Sequence, residues 1–158
     1  MSRPATDIPG VIAPPPLIYL GFLALGWGVG RLIEEPGLGL DRNLRGGLGI
    51  AGLVLGLAIE AWAARLFQKA RTAVQPWTPS TALVTDGIYG VTRNPIYLGF
   101  AITYLALAVG LDSPLAIGLL IPCLLVVDRF VIQREELYLA ARFGADYDAY
   151  RRRVRRWL

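Results

Sequence analysis

Two carboxylic acids side by side, Glu135 and Glu136, follow an apolar run with no turn signal between them. Carboxylates beside an apolar wall hold an ammonium or a sulfonium strongly, because the local dielectric is low. The pair also reads as a solvated helix face partnered by Arg134 and Arg142, an arrangement worth little. Glu135, Tyr138 and Arg142 fall at i, i+3 and i+7 on one helix face, and Glu136 shares a face with Arg129 one heptad earlier. A second polar group stands in "VTDGIYGVTRNPIYLGF", residues 84–100, where Arg93 and Asn94 meet an apolar segment at Pro95. Asn94 as N-cap and Pro95 in the first turn account for a helix start. They do not account for Tyr97 and Gly99 one turn inside. Tyrosine at that depth either joins an interfacial aromatic belt or hydrogen-bonds a ligand, and glycine lets a backbone or ligand come close. Glu60 and Asp128 lie near the ends of apolar runs, where acids usually face a bundle interior. Glu60 reads equally as a structural acid paired with a basic neighbour and as a pocket group.

Composition narrows the chemistry. The 158 residues are 54% hydrophobic and 18% charged, below the roughly 25% charged of soluble domains, which points to a bilayer. With no histidine, a histidine base, a Ser-His-Asp triad and a histidine metal cage are excluded. One cysteine, Cys123, supports neither a disulfide framework nor a zinc site, so no metal is expected. The net charge of +4 and the tail "RRRVRRWL" suit cytoplasmic-side arginine and anionic headgroups, and no nucleic-acid partner is expected. "GLGIAG" at 47–52 imitates a dinucleotide fingerprint but lies inside an apolar helix.

Four apolar segments must position these residues: 14–33, 46–67, 95–111 and 114–132. Each is near the length that spans a bilayer, the third close to the lower limit. Gly28-Val29-Gly30 loosely resembles a signal cleavage site, but the region before the first segment is long and proline-rich, so that segment is expected to be retained. Only Asp112 and Ser113 separate the third and fourth, which forces an antiparallel hairpin; either can cap the fourth helix ahead of Pro114. The fourth helix is expected to run on to a stop at Gly144. The expected fold is an all-α integral membrane protein with four spans, a single domain of residues 1–158. Both termini in the cytoplasm would put thirteen basic residues inside and three outside, as the positive-inside rule favours. The loop 68–94 and the C-terminal segment 133–158 then meet on the cytoplasmic face, above the hairpin. A compact prokaryotic plasma-membrane protein is the expected setting.

The run "ARTAVQPWTPSTALVTDGIYGVTRNPIYLGF", the short hairpin and "EELYLAARFGADYDAYRRRVRRW" resemble the isoprenylcysteine carboxyl methyltransferase and phospholipid methyltransferase family. These are integral membrane enzymes that use S-adenosylmethionine, and the resemblance covers residues 68–157. Arg93, Pro95, Tyr97 and Gly99 match the family's Arg-His-Pro-x-Tyr-x-Gly stretch, and Glu135 and Glu136 match its acid pair. Phe143, Gly144, Tyr147 and Tyr150 match Phe-Gly-x-x-Tyr-x-x-Tyr, and Arg156 matches a late arginine. Asn94 departs from the pattern, standing where the eukaryotic enzymes carry histidine. It keeps a hydrogen bond but cannot act as a base near neutral pH.

The resemblance implies that Arg93 and Asn94 hold the cofactor's methionine carboxylate or nearby polar groups. Glu135 and Glu136 would hold its amino group and balance the sulfonium, while Pro95, Tyr97, Leu98 and Gly99 shape the channel. Glu135, Tyr147 and Arg156 would be the catalytic residues. The acceptor would be a lipid or other apolar molecule, of prenylcysteine-carboxylate or phospholipid-amine type, reaching the pocket sideways from the membrane. A carboxylate acceptor needs no base; an amine must lose a proton, for which Tyr147, Tyr150 and Glu60 are available. Two other readings stand beside this one: a membrane reductase using NADPH, and a non-enzymatic lipid-binding membrane protein.

Overall fold

The computed structural model describes residues 8–75 and 77–158, so Arg3 and Pro76 lie outside the described residues. Every named element among them is helical: α1 (Pro15–Leu32), α2 (Arg42–Lys69), α3 (Pro95–Gly110), α4 (Pro114–Val127), α5 (Gln133–Phe143) and α6 (Ala145–Arg153). A 3₁₀ turn, Gly87–Gly90, precedes α3, and a π turn, Asp128–Ile132, joins α4 to α5 without a break.

Local chemistry sets the boundaries. The second helix begins four residues before the expected 46, because Asp41 accepts hydrogen bonds from the Asn43 and Leu44 N–H groups and so caps it. Ser113, not Asp112, caps α4: its side chain accepts from the Ala116 N–H, with Pro114 at the first position. Asp112 instead accepts from the Leu38 N–H and pairs with Arg45. Beside it, Glu35 accepts from the Ser113 hydroxyl and the Leu115 N–H. The α1–α2 link is thereby clasped to the hairpin tip by two carboxylates. At the other end, the helix stops at Gly144 as expected, but its φ of +52° with ψ of −122° is not the left-handed helical conformation; it is another positive-φ conformation that glycine reaches at little cost.

Two helices are long and apolar enough to cross a membrane, Arg42–Lys69 and the continuous Pro114–Phe143; α3 is a shorter apolar helix. Only 11% of the apolar window of α2 is buried inside the protein, so it turns leucine, isoleucine and valine outward rather than into a core. That is the pattern of a lipid-facing helix, not of a soluble protein's core helix. α3 packs on α1, α2 and α4, and α1 packs on α4. The tyrosines tie these helices by their hydroxyls: Tyr19 donates to the Tyr97 carbonyl at 3.0 Å, and Tyr104 donates to the Ala116 carbonyl at 2.7 Å.

The α2–α3 contact depends on absent side chains. A Cβ on Gly56 would strike the Thr103 hydroxyl and come within 2.8 Å of the Gly99 carbonyl; a Cβ on Gly99 would meet Glu60 at 2.6 Å. Small residues that let backbones approach are the usual basis of helix association in a membrane. Gly56→Ala is therefore expected to lower stability by about 1–3 kcal/mol through overpacking, read as a lower thermal midpoint in detergent. An unchanged midpoint would contradict this packing.

Candidate functional site

At one end of the bundle, four segments converge: the loop 70–94, the start of α3, α5 and the C-terminal segment. Hydrogen bonds fix them. Ser80 is gripped by α5, its N–H donating to the Tyr138 hydroxyl and its carbonyl accepting from Arg142. Thr72 accepts from the Thr81 and Ala82 N–H groups and folds the loop on itself. The chain's end is laced to the start of α3: the Arg93 N–H donates to the Arg155 carbonyl, while Thr92 and the Asn94 amide both donate to the Arg156 carbonyl. Tyr150 donates to the Tyr89 carbonyl at 2.8 Å. Between these segments lies a partly open pocket with a cavity volume of about 110 Å³. Phe67, Leu83, Val84, Ile96 and Leu139 form apolar walls, and Arg93, Asn94, Tyr97, Glu135, Glu136 and Tyr147 supply polar groups.

The charges do not cancel evenly. Glu136 is held by Arg93 at 3.1 Å and by both Nη2 (2.6 Å) and Nε (3.0 Å) of Arg156. Arg156 reaches on to Asp128 through Nη1 at 3.3 Å, and its bonds to Glu136 lead in raising its already high pKa. Two arginines thus meet two carboxylates. Glu135 remains outside this balance. Its Oε1 accepts a 2.6 Å bond from the Tyr97 hydroxyl, and its Oε2 has no hydrogen-bond partner among the described residues. Burial pushes its carboxyl from 4.5 up to about 7, with Glu136 adding to the rise and the Tyr97 bond opposing it. Arg93 donates through Nη1 to the Tyr147 hydroxyl at 3.4 Å, yet its buried Nε has no partner among the described residues. The Tyr147 hydroxyl is pushed above its ordinary pKa, first by burial and then by Glu136, with Arg93 opposing. At neutral pH it is a hydrogen-bonding group rather than a base.

Of the residues singled out in the sequence, Arg93, Asn94, Tyr97, Glu135, Glu136 and Tyr147 line the pocket. Pro95, Leu98, Gly99 and Arg156 do not: Gly99 faces α2, and Arg156 stands behind Glu136. The Asn94 side chain makes no helix cap; its amide is committed to the Arg156 carbonyl. Glu136 does not pair with Arg129 one heptad back, because the π turn adds a residue to the helical repeat and Arg129 donates to Gln133 instead. Glu60 pairs with no basic residue among the described residues; it accepts from the Thr103 hydroxyl at 3.1 Å. Asp128 takes a role the sequence did not suggest, as second partner of Arg156.

Two helices long and apolar enough to cross a membrane, with a polar, partly open pocket at one end of the bundle, fit a membrane-associated protein. The chain belongs to the phospholipid methyltransferase family, which matches residues 44–146, from the start of α2 into α6. It is 40% identical over 78 residues to a protein-S-isoprenylcysteine O-methyltransferase of Schizosaccharomyces pombe, covering 46% of this chain and 30% of that enzyme. With a protein-S-isoprenylcysteine O-methyltransferase B of Arabidopsis thaliana it shares 40% identity over 75 residues, covering 46% of this chain and 36% of the relative. A Haemophilus influenzae protein named only as uncharacterized is 42% identical over 64 residues, covering 40% of this chain and all of its own length. The chain thus spans about a third of the length of the two named methyltransferases it matches. No solved structure matches it.

Proposed function

We propose that the chain is an S-adenosylmethionine-dependent membrane methyltransferase acting on a membrane-embedded or apolar acceptor. The observation that carries this reading is Glu135: a half-buried carboxylate with one oxygen free of partners among the described residues and no arginine of its own, facing the polar pocket. Such a group calls for a cation. Arg93, which also lines the pocket, has a buried Nε without a partner among the described residues. A molecule carrying a cation, a carboxylate and a flat aromatic base fits that combination, with Phe67, Leu83 and Leu139 as the apolar surfaces.

When bound, S-adenosylmethionine supplies an electrophilic methyl group on sulfur. The chain's own residues then act by alignment, which can contribute about 7–11 kcal/mol to a bimolecular transfer. Glu135 balances positive charge in the pocket, and Tyr97 fixes its orientation by the 2.6 Å bond. Arg93 and Asn94 flank the opposite side, while Arg156 is a positioning residue that holds Glu136 and through its carbonyl holds Asn94. With its carboxyl near 7, Glu135 is also the group able to take a proton from an amine acceptor; a carboxylate acceptor needs none. The named relatives support a prenylcysteine-type carboxylate, and the family's description supports a phospholipid amine.

In this reading the four helices α1–α4 each cross the membrane. The pocket and both termini lie on the cytoplasmic side of a prokaryotic plasma membrane, where most of the arginine falls. Protein reconstituted in vesicles with methyl-tritiated S-adenosylmethionine is expected to move label into an organic-extractable product when given a prenylcysteine analogue or an aminophospholipid. Excess S-adenosylhomocysteine should suppress the transfer. Absence of label from both acceptors, with correctly folded protein, would contradict the acceptor class.

A further inference from the structure

A second cleft lies along α3, one to three turns further into the bundle than Tyr97, between α1, α2 and α3. Its cavity volume is about 180 Å³ and its surface is almost wholly apolar, formed by Leu20, Leu23, Phe100 and Leu107 among others, with Leu20 exposed. Tyr97, which lines the polar pocket, has its ring 6.4 Å from that of Phe100 in the cleft lining, and Phe100 is 5.6 Å from Tyr19. One acid lines the cleft. Glu60 is half-buried, takes the Thr103 hydroxyl on Oε1, and has no partner on Oε2 among the described residues.

The polar groups of the cleft have a one-sided character. Every side-chain donor there is already committed: the Thr103 hydroxyl to Glu60, the Tyr19 hydroxyl to the Tyr97 carbonyl, and the Tyr104 hydroxyl to the Ala116 carbonyl. Backbone N–H groups of helix interiors are spent on the helices. What remains is acceptor capacity, on the Glu60 carboxylate and on the lone pairs of three hydroxyls. No lysine or arginine lines the cleft. A phosphate or carboxylate would find no donor and would face Glu60; an ammonium group would find acceptors and a countercharge. An acid at this depth is costly unless it has such a use.

We propose that this cleft is a binding site for a long-chain primary ammonium amphiphile. Its charged head sits at Glu60 and Thr103, and its single apolar chain lies along Leu20, Leu23 and Leu107 toward the lipid. This site is separate from the polar pocket, and its existence does not depend on methyl transfer.

The test uses two photoreactive probes with the same diazirine-bearing twelve-carbon chain, one ending in a primary amine and one in a carboxylic acid. Full-length protein in phosphatidylcholine vesicles is irradiated with each, digested, and the labelled residues are mapped. The amine is expected to label residues 16–23 and 100–107 about tenfold more than the acid does, the size of one hydrogen bond to a charged group. Glu60→Gln should abolish most of that excess, and Leu20→Trp should block labelling by filling the mouth. Equal labelling by amine and acid, labelling spread over the outer faces of all helices, or an excess unchanged in Glu60→Gln would overturn the proposal. The comparison between the two probes on unaltered protein decides the matter even if a variant fails to fold.

Discussion

Glu135→Gln is expected to weaken binding of S-adenosylhomocysteine by about tenfold to a hundredfold, the range for losing a hydrogen bond to a charged group. The amide keeps the shape of the side chain and can still meet the Tyr97 hydroxyl, so the loss should come from charge rather than from collapse of the wall. The same variant should erase a pH dependence. In the folded protein the Glu135 carboxyl titrates near 7, whereas unfolded it returns to about 4.5. The native state therefore holds a proton there that the unfolded chain has released. Stability from this group is fully present below pH 4.5 and lost as pH rises through 7, a fall of up to about 3 kcal/mol. Cationic ligands run the other way, because they favour the ionised carboxylate. Their affinity should climb as pH rises toward 7 and then level off. Calorimetric titrations at pH 5.5, 6.5 and 7.5 check the affinity trend, and thermal midpoints at the same pH values check the stability trend. A variant with unaltered affinity and the parent's pH profile would remove Glu135 from the site.

Arg93→Ala should chiefly destabilise the fold. Its side chain is 13% exposed and Glu136 is 19% exposed, so this pair is mostly out of water. Breaking a buried pair by removing one partner costs roughly 3–5 kcal/mol. Arg156 still holds Glu136 in the variant, which brings the expected loss to about 2 kcal/mol, below the figure for a pair with no other partner. Arg93→Lys keeps the charge but loses the fork that serves Glu136 and Tyr147 together, and should fall between. In the double variant Arg93→Ala, Glu136→Gln the combined loss should be smaller than the sum of the two single losses, because the Arg93–Glu136 interaction is removed only once. Thermal midpoints of these four proteins and of the Glu136→Gln single variant in one detergent test this. Additive losses in the double variant would show that the two residues are not coupled.

Much of the architecture could be read locally. Proline at 114, serine at 113 and a two-residue link specify the hairpin and its cap, and a glycine after an amphipathic run specifies the stop at Gly144. The gathering of Arg93, Tyr97 and Glu135 in one pocket was also legible, from motifs that keep their spacing. Relations that cross the chain were not. That Arg156 serves Glu136 and Asp128 depends on a tail that folds back through the Thr92–Arg155 bridge, a contact between residues more than sixty positions apart. The heptad relation of Arg129 to Glu136 failed because a π turn shifts the register, and no residue type announces such a turn. The pocket's apolar walls from loop 70–94 were hidden for a related reason: Leu83 and Val84 carry no chemistry until Thr72, Tyr138 and Arg142 fix the loop over α5.

These relations divide the acid pair. Glu136 is held by two arginines, while Glu135 keeps one oxygen without a partner among the described residues and is the acid that we propose for a ligand. The pair expected to act together on one cation thus performs two tasks, and the site's affinity should depend far more on Glu135 than on Glu136.

The most direct test is calorimetric titration of the detergent-purified protein with S-adenosylhomocysteine, with NADPH titrated in parallel. One-to-one binding of S-adenosylhomocysteine at micromolar affinity, with no heat from NADPH, is the predicted result. Binding of NADPH alone, or of neither ligand to folded protein, would contradict the account.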